Sequence, residues 1–596
     1  MRKPMRALHK ICPPLVVLSC ATVIALPSSG QAAGLVIREP VLPTNVSFHS
    51  ARIEALKLPV RAEIEEIMAD GVLVAQARTS GRGRAARPSV PARRKSAPSR
   101  PRSRTDQALA RARNLAASGK YEEASKLLFQ LSRSPQYRSE AAQIKYILGL
   151  MLYEMKLYQS AAFVFYDVVR QESRSNPKSR YLRQSLEKIA LAADQLNSDV
   201  LLRYAIRNIR ENEFPAANRD MLYYRTGEIR MQEKDFAGAA REFMRVRQGS
   251  QFYYRARYRL GLALMEAGAI DRAIAVFEDL ANNASSLGVT NPTRVIALMG
   301  RARALYQKHD FAAAIEAYRE IPRDTPQWHD ALFESSWAML RDGRFRSALS
   351  NFHSLHSAYY EDFYQPESLF LRAIVYLYIC RYDEMEKVID LFERIYQPVQ
   401  KDVKFILESV SDPLVLYREI AKIQENFEKI KAMDKAGRRQ FKIPFLVARQ
   451  ILKEGDVRRT FEYLGHLNEE KARIASMSSS WRASAVGQYV RQILDRRIQA
   501  TEKFAGRQVR HHLSVISDEL KDLFEQTGFL RFEMLSGKKE TIRKEIAGKG
   551  LERERVDQDA NRNFYVQNGY EYWPFTGEYW LDEIGNYHYV GVKACE

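Results

Sequence analysis

Two short stretches contain residues of the kind that bind nucleotides or calcium, but neither has the context that this chemistry needs. Gly81–Ala86 fits a variant of the dinucleotide fingerprint. It lies in an Arg- and Pro-rich stretch with no strand before it and no helix after it, so we reject it. Asp557 begins a sequence like a calcium loop, but Arg562 stands at the glycine position and Asn568 at the position of the bidentate glutamate. We expect no nucleotide or calcium there.

The histidines offer no metal pair either. His511 and His512 are adjacent in a helical stretch, so their side chains point about 100° apart and cannot hold one metal ion from one face. We expect both at the surface. No nucleophile elbow, phosphate loop or zinc-binding helix motif occurs. The sequence therefore predicts no catalytic residue, no cofactor and no metal, and the protein is not expected to be an enzyme.

The four cysteines lack metal-binding spacing. Cys12 and Cys20 lie near the start of the chain, and Cys380 and Cys595 lie in its body. A disulfide between the latter two would suit an oxidising compartment, and two unpaired thiols are an equal alternative.

Residues 1–33 have the features of an export signal, with a basic start, an apolar run from Leu15 to Leu26 and small residues up to Ala33. Two cleavage patterns compete: ordinary cleavage before or after Ala33, and a lipoprotein pattern that would acylate Cys20. Leu18 and the apolar residues after Cys20 favour ordinary cleavage. We expect the mature chain in the periplasm or at the outer membrane, with no transmembrane span.

Positive charge is concentrated in one segment. The chain has a formal net charge of +21, and ten basic residues with no acidic residue lie between Gly71 and Thr105. Residues 34–76 form a short N-terminal segment, and residues 77–104 read as a basic flexible linker. A solvated spacer is the favoured role of the linker, and attachment to anionic membrane or cell-wall surfaces is the alternative. Export argues against nucleic-acid binding.

From residue 105 onward one spacing recurs seven times. An aromatic or aliphatic residue is followed at +3 by a small residue (methionine in the last case), and at +7 and +10 by large apolar residues. The first and third of these in each case are Tyr121 and Leu128, Tyr158 and Phe165, Phe236 and Phe243, Ile270 and Phe277, Phe311 and Tyr318, Phe345 and Phe352, and Tyr382 and Ile389. The 78-residue gap between Tyr158 and Phe236 predicts a degenerate eighth copy, with Ala205 at its small position.

This pattern resembles the tetratricopeptide repeat (TPR), in which two antiparallel helices approach closely at small residues. The resemblance implies an all-α fold, a right-handed superhelical solenoid of about eight repeats over residues 105–395. It also implies that the first helix of each repeat, helix A, lines a concave groove. Helix A is rich in Arg and Tyr, so we expect an acidic or phosphate-bearing partner segment there. The predicted groove residues are Arg219, Tyr223, Tyr224, Arg255, Arg257, Tyr258, Arg301 and Arg303.

Residues 396–548 form a helical extension without repeat spacing. Apolar stripes at Leu416, Ile420 and Ile423 and at Leu513, Ile516 and Leu520 are typical of core-facing helices. Residues 549–596 are rich in aromatics and turn residues, which predicts a small β-meander docked on the helices. The alternative is an exposed binding patch of Trp573, Tyr579 and Trp580.

Together these features indicate a non-catalytic scaffold or adaptor that binds other proteins of the bacterial cell envelope. The resemblance extends to exported TPR proteins of Gram-negative bacteria. The aromatic C-terminal motif is similar to those of delta-proteobacterial proteins, some of which serve gliding machinery. The alternative function is peptidoglycan or polysaccharide binding through that aromatic segment.

Overall fold

The computed structural model describes residues 104–198, 200–206, 219–284, 291–546 and 578–589. Within these residues the chain is helical, and no strand is present. The predicted export signal with Cys20, the short N-terminal segment and nearly all of the basic linker lie outside them. So do the loop at Asp557, Trp573 and Cys595.

In the described residues, sixteen α-helices form the part of the chain in which repeats were predicted. They are α1 (Arg104–Ala117), α2 (Tyr121–Arg133), α3 (Ala141–Glu154), α4 (Tyr158–Ser175), α5 (Arg180–Leu196), α6 (Val200–Ile206), α7 (Arg219–Gln232), α8 (Phe236–Met244), α9 (Tyr253–Glu266), α10 (Ile270–Asn283), α11 (Pro292–Gln307), α12 (Phe311–Arg319), α13 (Trp328–Arg341), α14 (Phe345–Leu355), α15 (Pro366–Tyr378) and α16 (Tyr382–Ser409). The predicted solenoid end at residue 395 falls inside α16, which continues as one helix to Ser409. In the described residues, α5 and α6 occupy the place of the degenerate copy.

Seven further α-helices follow among the residues that the structure describes. They are α17 (Pro413–Glu425), α18 (Phe427–Lys431), α19 (Lys435–Arg438), α20 (Phe445–Lys453), α21 (Gly455–Ser476), α22 (Ser479–Ala483) and α23 (Ala485–Ile546). No helix in the described part of the chain combines the length and apolar character that a membrane span needs.

The described chain divides into two compact modules. The N module contains the described residues up to Tyr253 together with residues 455–508. The C module contains those of residues 254–454 and everything described from Val509 onward.

A residue with left-handed backbone conformation precedes the second helix, helix B, of each of the seven clear repeats. It stands two positions before the first residue of that helix, and its φ lies between 57° and 77°. Glycine adopts this conformation at no steric cost, whereas other residues are strained there. The seven residues are Gly119, Lys156, Lys234, Gly268, His309, Gly343 and Cys380.

The predicted close approach between helices A and B is confirmed at every clear repeat. All seven small or methionine positions of helix B are fully buried. They are Ala124, Ala161, Ala239, Ala273, Ala314, Ala348 and Met385.

Glycines in helix A allow the tightest of these contacts. Gly149 and Gly227 in the N module face the rings of Phe165 and Phe243. A Cβ atom at either glycine would lie 2.5 Å from a ring carbon. In these two repeats the aromatic ring at the +7 position therefore requires a glycine on the opposite helix.

In the N module the later helices fold back onto the first repeats. Helix α4 begins after Leu157, whose side chain cannot cap it. Glu470 of α21 supplies the cap instead, because its carboxylate accepts hydrogen bonds from the backbone N–H groups of Gln159 (2.8 Å) and Ser160 (3.1 Å). Trp481 of α22 is fully buried and donates its indole N–H to Ser125 Oγ at 2.8 Å. The helix B faces of the first two clear repeats are thus contacted by the chain itself.

In the C module, α23 runs antiparallel to α16. Arg510 donates to the carbonyl oxygen of Leu407 at 2.8 Å, near the end of α16. Farther along α23, Arg531 pairs with Asp390 at 2.7 Å and Lys538 with Glu386 at 2.8 Å. This ladder fixes the register of the two helices.

Both predicted apolar stripes of the helical extension are buried. Leu416, Ile420 and Ile423 are at most 2% exposed, and Leu513, Ile516 and Leu520 are fully buried. His512 is also fully buried, so its prediction as a surface residue is wrong. It lies on the same face of α23 as Ile516, one turn away, and that face forms core.

Candidate protein-binding surfaces

The predicted groove residues of the N module lie on or next to the first turns of α7. Arg219 is exposed. Tyr223 accepts a hydrogen bond from Arg245 at 3.0 Å, and that guanidinium lies 4.0 Å from the centre of its ring. Tyr224 is 6% exposed and donates its hydroxyl to Glu228 at 3.0 Å. In this module, Arg219 and Tyr223 present polar groups at the surface, whereas Tyr224 belongs to the core.

In the C module three of the five predicted groove residues lie at or near the surface. Arg255 is exposed on α9. Arg257 pairs with Asp279 at 3.0 Å, and Arg301 pairs with Glu320. Two of these three guanidinium groups already have a carboxylate neighbour in the same module, which reduces the positive charge they offer to a partner.

Tyr258 and Arg303 are buried instead. Arg303 makes a bidentate ion pair with Glu334, with nitrogen–oxygen distances of 2.8 and 2.6 Å, and Tyr318 donates its hydroxyl to the same carboxylate at 2.9 Å. Burial alone would lower the pKa of Arg303, but the charge and hydrogen bonds of Glu334 outweigh it and raise the pKa. Burial raises the pKa of the Tyr258 hydroxyl. Because the cluster is satisfied internally, its evident role is to hold α11, α12 and α13 together.

Helix α13 also shows how little of helix A is exposed in this module. Every residue from Ala331 to Leu340 is buried. Binding of a partner by the eight predicted residues therefore stays a prediction. Of the eight, Arg219 and Arg255 are exposed and are the best placed to contact a partner.

A second candidate surface holds the chain's own C-terminal segment, residues 578–589. The predicted β-meander is wrong for these residues, which form turns and irregular backbone without strand pairing. Their backbone groups bond to helix and loop side chains instead of to a neighbouring strand. Gly585 N–H donates to Ser354 Oγ at 2.8 Å, and Tyr589 N–H donates to Ser350 Oγ at 2.9 Å.

The other side of this segment is held by the loop before α13. Arg323 donates to the carbonyl oxygens of Asp582 at 2.9 Å and Leu581 at 3.1 Å. Gly585 has φ of +89°, and a Cβ atom there would lie 2.5 Å from the Trp328 ring. The turn therefore requires glycine for its backbone conformation and for its contact with the indole.

Side chains of the segment complete the contact. Ile584 is 1% exposed and anchors the turn. His353 of α14 lies between Tyr579 and Tyr587, with ring centroids 5.1 and 4.6 Å away. Burial and then the charge of Arg372 lower the pKa of His353 to about 4, so this ring is neutral at pH 7.

The aromatic segment is partly docked on the helices and partly exposed, so each of the two alternatives holds for some of its residues. Tyr579 packs against His353, whereas Trp580 and Leu581 are 55% and 65% exposed. Ser350 and Ser354, which receive the segment, could not be identified from the sequence, because hydroxyls on a helix B face are typical of solvated positions. The adjacent Gly585 and Asn586 are residue types typical of a tight turn, and they indicate from the sequence where the chain bends.

Cys380 is disulfide-bonded, so the alternative of an unpaired thiol is wrong for it. It is the one cysteine among the described residues, and its partner lies outside them. Cys380 occupies the left-handed position two residues before helix B of the last clear repeat.

Comparison with known proteins agrees with the geometry of the helix pairs. The family model described as tetratricopeptide repeat matches residues 109–177, 224–287 and 281–327. These three segments of the chain are thus similar to tetratricopeptide repeats. Such repeats bind protein partners and are generally non-catalytic. No curated protein matches the sequence.

Two solved structures are similar to parts of this chain. A tetratricopeptide repeat protein from Parabacteroides merdae ATCC 43184 is 16% identical, and the match covers 42% of this chain and 93% of that protein, with a TM-score of 0.25. A Rap protein complexed with competence and sporulation factor is 10% identical, with coverage of 62% and 99% and a TM-score of 0.25.

Proposed function

We propose that this protein is a non-catalytic scaffold of the bacterial cell envelope, which binds a segment of a partner protein on the helix A side of its repeats. The observation that carries the proposal is the set of seven buried helix B positions, which define TPR hairpins. In this architecture helix A lines the inner surface that receives peptides or partner helices. A fold class alone does not fix a function, so the partner must be tested directly.

Two features support an envelope location. Residues 1–33 have the charge and apolar pattern of an export signal. Cys380 is disulfide-bonded, and structural disulfides persist mainly in oxidising compartments such as the periplasm. Acylation at Cys20 would add an outer-membrane anchor, and the basic linker would add attraction to anionic surfaces. Service in a trans-envelope machine of the delta-proteobacterial type rests on the C-terminal motif alone.

The partner segment is acidic or phosphate-bearing in this proposal. Arg219 and Arg255 are exposed on helix A in the N and C modules, and guanidinium groups form strong bidentate bonds with carboxylates and phosphates. Arg303 is excluded from this role because Glu334 already occupies its guanidinium.

Affinity capture from envelope extract tests the proposal. The full chain should retain a specific partner. The double variant Arg219→Glu, Arg255→Glu should capture at least about tenfold less of that partner. The matched control is Arg241→Glu with Arg319→Glu, which places the same charge changes on exposed positions of helix B. Equal capture by both double variants would overturn the assignment of helix A as the binding side.

Cell-wall glycan binding is the second candidate, and the exposure of Trp580 favours it. Aromatic side chains at the surface stack on sugar rings and often dominate binding energy. In a sedimentation assay with purified peptidoglycan, the full chain should pellet, while Trp580→Ala and a chain truncated at Arg562 should stay in solution. Pelleting of all three proteins to the same extent would reject this candidate.

A further inference from the structure

Two cations of the C module lie over one aromatic ring. Arg449 and Lys453 are one helical turn apart on α20, and Phe363 lies in the loop between α14 and α15. The guanidinium carbon of Arg449 is 3.8 Å from the centre of the Phe363 ring, and the ammonium nitrogen of Lys453 is 4.4 Å from it. Both distances are within the range of a cation–π contact, so one ring holds two positive charges.

Neighbouring rings fix the position of the Phe363 side chain. His329 of α13 lies 4.1 Å from the Phe363 ring between centroids, and Tyr360 lies 5.3 Å away with its plane nearly perpendicular. His329 is 4% exposed. Burial, and to a lesser extent the charges of Lys453 and Arg449, lower the pKa of His329. The histidine is therefore neutral at pH 7 and adds no charge to the two cations.

Neither cation is bound to a carboxylate. In the part of the chain that the structure describes, Arg449 and Lys453 make no hydrogen bond and no ion pair. Asp362, next to Phe363 in the loop, is already bound by Arg438. Four carboxylates attract the two cations over longer distances, and they are Asp330, Asp362, Glu428 and Glu454. Attraction over such a distance does not engage the N–H donors of a guanidinium or an ammonium group.

Partial loss of water makes an unpaired cation unstable. Burial lowers the pKa of both Arg449 and Lys453, and it is the largest influence on each of these pKa values. The contact with the Phe363 ring offsets only part of the lost hydration. An anion that accepts hydrogen bonds from both groups would replace the water that they have lost.

We propose that Arg449 and Lys453 form a binding site for a phosphate group, either free or as a monoester in solution or on a lipid headgroup. A phosphomonoester carries a charge of about −1.5 to −2 at pH 7, which matches two cations better than one carboxylate does. The guanidinium fork of Arg449 binds two phosphate oxygens, and Lys453 adds a point charge. Arg449 is half-buried and Lys453 is exposed, so a ligand can reach both from solvent.

This site adds a small-ligand function to the proposed scaffold. It uses none of the helix A residues that are proposed to bind a partner protein. Its ligand is recognised by charge and by hydrogen bonds from two side chains of one helix, so it does not require a protein partner. Failure of the affinity capture experiment would therefore leave the phosphate site untouched.

Titration calorimetry of the full chain with inorganic phosphate tests the site. One phosphate should bind per chain, and the double variant Arg449→Met, Lys453→Met should bind at least about tenfold more weakly. The matched control is Lys401→Met with Lys404→Met, which removes two exposed cations from α16 of the same module. This control should bind phosphate as the wild type does. Equal affinity in both double variants would overturn the proposal.

The aromatic ring has a test of its own. Phe363→Leu keeps both cations but removes the face on which they lie, so phosphate affinity should fall about two- to fivefold. Arg449→Lys keeps the charge and removes the planar fork, so its affinity should lie between those of the wild type and the double variant. Thermal unfolding of each variant shows whether it is folded. Altered unfolding together with unchanged phosphate affinity in both single variants would mean a purely structural role and would overturn the site.

Two further ligands distinguish the source of the phosphate group. Glycerol 3-phosphate offers the monoester in solution, and phosphatidate in phosphatidylcholine vesicles offers it on a headgroup. The wild type and the double variant Arg449→Met, Lys453→Met both keep the basic linker, so only the difference between them reports on the site. A difference of about tenfold with either ligand supports the proposal and identifies the source. Equal binding of both proteins to inorganic phosphate, glycerol 3-phosphate and the vesicles would reject it.

Discussion

At the residue scale, Arg303 and Glu334 show what a bidentate ion pair does inside a repeat array. Their side chains are 10% and 2% exposed, so both charges have left water almost completely. Desolvation of two ions is costly, and only close pairing with further hydrogen bonds offsets it. Tyr318 supplies one such bond. Loss of either partner would leave an uncompensated buried charge.

The first prediction follows from that asymmetry. Arg303→Met should lower the free energy of unfolding by about 3–5 kcal/mol, because Glu334 would stay buried without its cation. Arg301→Met is the matched control: it removes a partly exposed pair from the same helix, and should cost about 1 kcal/mol or less. Urea denaturation followed by circular dichroism measures both. Similar small losses in the two variants would show that Arg303 is not structural and would return it to the list of candidate partner-binding residues.

At the scale of single helices, the approach of helix A to helix B depends on the absence of side chains. Gly261 of α9 and Gly300 of α11 face the Phe277 ring in the C module, and a Cβ atom at either would lie 2.5 Å from a ring carbon. The ring itself is fully buried, so a methyl group at either glycine would force the ring or a helix to shift. The repeat therefore tolerates only glycine at these two positions.

Gly261→Ala should destabilise the C module by about 1–3 kcal/mol, because the methyl group forces the two helices apart. Gly528→Ala on α23 of the same module is the matched control, since nothing lies within 4 Å of its added Cβ atom. Alanine favours helix there, so this control should stabilise the protein by roughly 0.5–1 kcal/mol. Thermal unfolding should shift in opposite directions for the two variants, and a downward shift for both would contradict the packing argument.

At the scale of the whole molecule, buried carboxyl groups make stability depend on pH. Burial and then the charge of Glu519 raise the pKa of Glu367 from 4.5 to about 8. Burial also raises the pKa of Glu519 to about 7, against the opposing hydrogen bond from Tyr364. Both groups belong to the C module, one on α15 and the other on α23.

The pKa values of both carboxyl groups are higher in the folded chain than in the unfolded chain, so their contribution to stability is lost as pH rises. Below pH 4.5 both glutamates are protonated in the folded and unfolded chain, and their contribution to stability is complete. As pH rises to about 8, the unfolded chain releases these protons first, so stability is lost. The melting temperature should therefore fall between about pH 5 and about pH 8.5, and Glu367→Gln should flatten the decline. An equally steep decline in that variant would show that Glu367 does not carry the effect.

The sequence by itself determined the repeats. Seven copies of one spacing placed a small residue, or methionine in the last copy, opposite the paired helix, and each of those positions is fully buried. The repeat spacing is visible in the sequence because every repeat packs only against its neighbours. Each copy therefore needs the same types of residue at the same packing positions. The same argument identified the buried stripes at Ile420 and Ile516, which follow helical spacing.

Only the tertiary structure decided which helix A side chains remain exposed and where the C-terminal segment lies. Arg301 and Arg303 are two residues apart, yet the first lies near the surface and the second inside a polar cluster. That difference depends on Glu334, 31 residues beyond Arg303. The turn at Gly585 is likewise fixed by Ser354 and Trp328, more than 200 residues away in the chain. Local spacing carries no information on such contacts, because they are made between elements whose meeting is set by the packed fold.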